Sequence, residues 1–271
     1  MDFDSSQEVV SSLGDKAKAK TKLSFVRLSI LGIMAGSFIA LGYLSFVRIT
    51  GTVPETWGSF ATFLGGCLFP IGLVALTFVG GELATGNMMV MTLGLMQKKI
   101  TKKDVIYNWL IVLITNCLGG FLVAFFFGHI VGLTEGAFLE KTLSVAQAKI
   151  NDTPLVAFVS GIGCNIFVCL AVYLGAMGKT YLGKIFGLWF PVMVFVVCGF
   201  QHVVANAFII PAAIFSNASN IQWSEYLINT VVVFFGNAVG GSLFLAVPLM
   251  FVTTEKKEAE ELSVGGVYEK T

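Results

Sequence analysis

Two apolar runs in this chain, residues 60–96 and 185–216, are each too long for one ordinary membrane crossing of ~20 residues, and polar residues interrupt each near its middle. The interruptions read Gly80-Gly81-Glu82 and Gln201-His202. Hydrocarbon offers no partner for the backbone groups that an interruption frees, so non-helical chain at this depth must be buried in protein or line a water-filled cavity. Both runs therefore read as discontinuous helices beside a pore or a site.

Four further apolar runs, at about residues 25–47, 106–131, 154–177 and 226–252, bring the expected crossings to six. Only 12% of residues are charged and 56% are hydrophobic, whereas a soluble domain averages roughly 25% charged. The net charge of +1, without a basic stripe, lacks the electrostatic footprint of a nucleic-acid binder. Cys67, Cys117, Cys164, Cys169 and Cys198 sit in apolar runs without CxxC spacing and read as packing residues rather than disulfides or metal ligands. No catalytic motif and no cofactor-binding motif occurs in the sequence, and His129 stands at a span end without a second nearby His.

Lys and Arg set the orientation, because cytoplasmic segments near span ends are enriched in them. Fourteen of the seventeen fall in the amino-terminal segment, the loops at 98–103 and 179–184, and the carboxy-terminal tail, where they include Lys256, Lys257 and Lys270. Arg48, Lys141 and Lys149 fall on the other side. Both termini are expected to be cytoplasmic. Residues 1–24 form a polar cytoplasmic segment without the pattern of a cleavable signal peptide. Their weak stripe of Phe3, Val9, Val10 and Leu13 leaves two readings open, an amphipathic helix or an unstructured tail. Residues 25–252 form the membrane domain and 253–271 a second cytoplasmic tail.

The chain carries an internal repeat. Asn108, Asn116, Gly119 and Gly120 recur as Asn229, Asn237, Gly240 and Gly241 at a shift of 121. The same shift carries Phe69-Pro70 onto Phe190-Pro191 and Thr85 onto Asn206. A unit of three crossings ends opposite to where it starts, so residues 25–131 and 154–252 are expected to form two inverted three-helix repeats with the substrate path at their interface.

The half-helices after the breaks start near Thr85 and near Val203 to Asn206, with Thr and Asn as expected caps. Their amino-terminal ends are expected to meet near the midplane and favour an anion. Glu82 and His202 are ionisable groups in mid-span, which by default mark function. Glu82 is expected to face away from the path and accept backbone N–H groups at the break. Asn165 either faces the cavity or bonds a neighbouring helix. Phe69, Leu73, Leu83 and Phe195 bracket the breaks, either as apolar constrictions or as packing. Lys149 by itself reads as a solvated lysine near the start of the fourth span.

Three segments resemble the formate/nitrite transporter family: Gly81-Glu82-Leu83-Ala84-Thr85-Gly86-Asn87, Gly163-Cys164-Asn165, and Gly199-Phe200-Gln201-His202-Val203-Val204-Ala205-Asn206-Ala207-Phe208 followed by Pro211. The resemblance implies an aquaporin-like protomer in a homopentamer in the bacterial cytoplasmic membrane. It also implies one pore per protomer for small inorganic or organic anions. By matching position it makes Thr85 the pore threonine, His202 the central histidine, Lys149 and Asn165 vestibule residues, and Phe69, Leu73, Leu83 and Phe195 the slits. Gln201 and Asn206 would support the second break as Glu82 supports the first. Formate members typically carry Phe before the threonine and Glu before the histidine, where this chain has Ala84 and Gln201. That departure resembles the hydrosulfide branch, so hydrosulfide is the first expected substrate, with formate or nitrite, or proton-coupled transport of the same anions, as alternatives.

Overall fold

The structure is a computed structural model that describes residues 3–254; Lys256, Lys257, Lys270 and the tail beyond Thr254 lie outside the described residues. Eleven α-helices with named bounds are present among the described residues, and helix continues over 247–254 past a π-helical turn at Ser242–Ala246. They are α1 (Ser6–Lys20), α2 (Phe25–Thr50), α3 (Ser59–Leu68), α4 (Ile71–Val79), α5 (Ala84–Met96) and α6 (Lys102–Val123), then α7 (Leu139–Asn151), α8 (Pro154–Met177), α9 (Tyr181–Val197), α10 (Val203–Phe215) and α11 (Trp223–Gly241). Polar linkers supply the starts: Ser24 caps α2, Thr101 and Asp104 form a capping box on α6, and Thr153 with Pro154 opens α8.

Among the described residues, five helical stretches are long and apolar enough to cross a membrane: Phe25–Thr50, Ser59–Val79, Lys102–Ile130, Pro154–Met177 and Trp223–Thr254. Tyr181–Val197 and Val203–Phe215 are shorter apolar helices. The run 60–96 divides into α4 and α5 at Gly80 to Leu83, and the run 185–216 into α9 and α10 at Cys198 to His202. Each division uses the same stop. Gly80 (φ +81) and Gly199 (φ +70) take the left-handed conformation after the last turn. The next residue then bonds back across that turn, Gly81 N–H to the Leu76 carbonyl and Phe200 N–H to the Phe195 carbonyl.

The shift of 121 does not hold through the breaks. Gly80 and Gly199, and likewise Glu82 and Gln201, correspond at 119, because the stretch from proline to glycine is two residues shorter in the second run. The chain also parts at Phe69-Pro70 between α3 and α4, whereas Pro191 stays inside α9. Asn206 therefore corresponds to Asn87 and not to Thr85.

Two helix pairs approach closely on small residues, which in a membrane let backbones approach and pack. Gly36 of α2 abuts the Asn116 main chain of α6, and Gly236 and Gly240 of α11 abut the Phe158 and Ile162 carbonyls of α8. These contacts set Asn116 and Asn237 beside the two breaks.

Basic residues gather at one end. Helix α1 packs against α5 and α8, where Lys99 pairs with Asp15 at 2.7 Å and Lys179 with Asp4 at 2.8 Å. Arg48 lies over Phe138 and bonds the Leu133 carbonyl, away from α1.

Candidate functional site

The two breaks are clamped by the repeated asparagines. Asn116 accepts the Ala84 N–H (2.8 Å) and donates to the Gly32 and Glu82 carbonyls (both 2.8 Å). Asn237 accepts the Val203 N–H (3.0 Å) and donates to the Gly161 (2.8 Å) and Gln201 (3.0 Å) carbonyls. Each side chain thus satisfies the backbone that its break exposes, which explains how the interruptions survive in a water-poor setting.

A second tier repeats in the same way. Asn87 donates to Glu82 (2.7 Å) and Asn108 (2.9 Å), and Asn206 donates to Gln201 (2.7 Å) and Asn229 (2.9 Å). The expected helix caps are thereby corrected. Thr85 and Asn206 lie inside their helices; Leu83 precedes α5 without a side-chain cap, and His202 caps α10 by accepting the Ala205 N–H at Nδ1 (3.0 Å). Long-range asparagines do the capping that a local reading assigned to neighbours.

His202 sits across from Thr85, with Nε2 3.0 Å from Oγ1, and both residues are buried. An Nδ1 that accepts a backbone N–H carries no proton, so the ring is neutral and donates from Nε2 to the Thr85 hydroxyl. The Thr85 proton is then free for another acceptor. Asn165 backs the pair: its Nδ2 donates to the carbonyls of Thr85 (3.1 Å) and Asn237 (2.7 Å), the helix-bonding one of its two open readings.

Two cavities adjoin the breaks: His202 lines one, and Leu83 and Gly86, either side of Ala84 and Thr85, line the other. One, of about 230 Å³, is lined by Lys149, Lys141, His202, Asn206, Phe69 and Phe195. The other, of about 410 Å³, is lined by Lys16, Lys20, Glu82, Asn87, Leu73 and Leu83. The four apolar residues thus divide between the cavities, with Phe69 edge-on to Phe195 (5.6 Å) and Phe195 stacked on His202 (5.7 Å).

Glu82 departs from its expectation. It faces the second cavity, accepting from Lys20 of α1 (2.6 Å) and from Asn87 rather than from backbone N–H groups. Lys149, on α7 and outside the spanning helices, is buried and donates to the Gly199 (2.6 Å) and Phe200 (3.0 Å) carbonyls. Burial lowers its pKa to about 8. Sequence reasoning missed Lys20, which pairs with Glu82, Tyr43 and Lys141, which line the cavity of His202, and Asp152, which accepts from Gln201. It found Asn108, Asn116, Asn229 and Asn237 only as repeated positions, and that repetition was their signal.

Comparison with known proteins yields consistent likenesses. The family model described as Formate/nitrite transporter matches residues 7–251. A protein of Bacillus subtilis named "Uncharacterized transporter YrhG" is 44% identical over 259 residues, covering 95% of this chain and 96% of its own. "Formate channel BtFdhC" of Bacillus thuringiensis is 42% identical over 245 residues, covering 90% and 94%. Among solved structures, an "FNT family ion channel" at 23% identity has the same fold, with a TM-score of 0.85 over 90% of this chain and 98% of its own. A "Pentameric formate channel with formate bound" superposes with a TM-score of 0.75 at 26% identity, over 84% and 97%.

Proposed function

The chain belongs to the formate/nitrite transporter family, whose members are multi-pass membrane transporters and channels, and from that premise we propose a passive channel for formate and similar small monovalent weak-acid anions. The observation that carries this reading is the Thr85–His202 hydrogen bond between two lysine-bearing cavities: His202 lines one, and Leu83 and Gly86, either side of Ala84 and Thr85, line the other. Lys149 raises the local anion concentration in its cavity. The Thr85 hydroxyl, oriented by His202, donates to the anion between the Phe69–Phe195 and Leu73–Leu83 constrictions. His202 acts as a neutral donor, because a second proton would displace the Ala205 N–H from Nδ1.

The protomer is read as six crossings in two inverted repeats, a reading that the matched clamps of Asn116 and Asn237 support. A homopentamer is favoured by likeness to a pentameric formate channel. The gathering of lysines around α1 favours cytoplasmic termini in a bacterial cytoplasmic membrane, with 1–24 as a cytoplasmic segment that lines one mouth, 25–252 as the channel domain and 253–271 as a tail. Formate takes first place from hydrosulfide because a relative covered over 94% of its length is named a formate channel. Hydrosulfide remains the second reading on Ala84 and on Gln201, whose neutral amide stands where formate members typically carry an acid.

Proteoliposome flux of formate, hydrosulfide, nitrite and chloride tests the proposal. Formate is expected to equilibrate fastest and without uphill accumulation under a pH gradient. Formate flux no faster than in empty liposomes contradicts it, and accumulation driven by the gradient would make the protein a proton-coupled transporter.

A further inference from the structure

We propose that Asp152 is a positioning residue for the anion lure: its carboxylate orients the Gln201 amide and, from outside the conducting cavity, offsets the cost of burying the Lys149 ammonium. The inference rests on the reading of Lys149 given above.

Asp152 is the C-cap of α7 and directly precedes Thr153, the N-cap of α8. It lines a separate cavity of about 180 Å³ with Glu225 and Asn229, and is not among the residues lining the cavity of Lys149 and His202. Its Oδ2 accepts from Gln201 Nε2 at 2.7 Å. Gln201 is fully buried. A carboxylate can only accept, so the amide must turn its nitrogen to Asp152 and its oxygen to Asn206, which donates at 2.7 Å. The polarity of the second break follows from that one acceptor. Gln201 Nε2 also donates to the Lys149 carbonyl (3.0 Å), and Asn229 Nδ2 donates to the same carbonyl (3.1 Å). The network closes on the Lys149 main chain and fixes the end of α7 from which the ammonium reaches the Gly199 and Phe200 carbonyls.

The charges are arranged to remain apart. Lys149 bonds carbonyls and forms no ion pair among the described residues, while the Asp152 carboxylate lies behind the Gln201 amide. Burial pulls Lys149 down to about 8, and Cys164 and then Asp152 act in the opposite direction, Asp152 being the carboxylate of the two. Other ionisable groups around Lys149 are Lys141 of α7, Tyr43 of α2, Cys164 of α8 and neutral His202 of α10; Glu225 of α11 is engaged with the Gln222 N–H. Asp152 is the carboxylate that supports the ammonium.

The test is the pH profile of the lysine-dependent part of formate uptake, taken as wild type minus Lys149→Met. Asp152→Asn keeps an acceptor for Gln201 and removes the charge, so the alkaline midpoint is expected to move to lower pH by about half a unit or more. A purely structural role would leave the midpoint in place. Gln201→Glu opposes two carboxylates and is expected to cut uptake at least several-fold, and adding Asp152→Asn restores it by supplying an amide donor. A wild-type midpoint in Asp152→Asn, or no rescue in the double variant, overturns the inference. If Lys149→Met itself takes up formate as wild type does, the reading of Lys149 as a lure is what fails.

Discussion

The break between α4 and α5 and the break between α9 and α10 share one hydrogen-bond plan and differ in how they handle charge. Each has a left-handed glycine, a clamping asparagine from the glycine-packed neighbouring helix, and a second asparagine bridging break to neighbour. At the first, the carboxylate of Glu82 meets the ammonium of Lys20 directly at 2.6 Å. At the second, neutral Gln201 separates Asp152 from Lys149. The common plan solves the problem of exposed backbone, and the difference puts a direct ion pair at the first break and, at the second, an ammonium held on carbonyls with its carboxylate behind an amide.

Removing the clamps is expected to have the largest effect and to be similar at both breaks. Asn116→Ala and Asn237→Ala each leave two buried groups of a break without the clamp, an N–H (Ala84, Val203) and a carbonyl (Glu82, Gln201), at about 1–3 kcal/mol per group, so each is expected to cost about 2 kcal/mol or more. Thermal unfolding of the purified protein in detergent reads this. A large loss in one variant and none in the other would break the equivalence.

The lysines should separate the two regions. Lys149→Met is expected to lower formate uptake about tenfold, consistent with the loss of electrostatic attraction at a cavity mouth. Lys20→Met strands the buried Glu82 carboxylate in the other cavity, and Lys20→Met with Glu82→Gln is expected to recover most of that loss. If the double variant is no better than the single, the ion pair is not what neutralises that mouth.

A pH effect of intermediate size follows from the Lys149 pKa, lowered by burial to about 8. The lysine is charged below that pH, so its contribution to uptake is full there and is lost as pH rises through about 8. The difference between wild type and Lys149→Met across pH 6 to 10 measures it, and a flat difference would contradict the assignment.

The glycines give the smallest and most evenly matched effect. An added Cβ at Gly80 or Gly199 meets open space, so alanine there incurs only backbone strain of about 1–2 kcal/mol. Equal small losses in unfolding temperature are expected.

Much of this was legible in the sequence, because apolar runs and their polar interruptions are dictated by the solvent. Glu82 and His202 could be found that way, and the asparagines by their repetition at a shift of 121. What they touch could not. Lys20 lies 62 residues before Glu82 on a weakly amphipathic segment, and no periodicity connects the two. A difference of two residues between proline and glycine put Thr85 opposite Asn206 when the fold pairs Asn87 with it. Local capping rules favoured Thr85, whereas the Ala84 N–H is taken by a side chain 32 residues away. Asp152 gave no signal because an acid beside a helix start is common on any surface.

The proposed anion path passes through the Thr85–His202 hydrogen bond. Formate flux through reconstituted Thr85→Val tests it most directly, since valine keeps the shape and removes the hydroxyl that His202 orients. At least a tenfold loss of flux is expected with the protein still folded, and flux equal to wild type would place the path elsewhere.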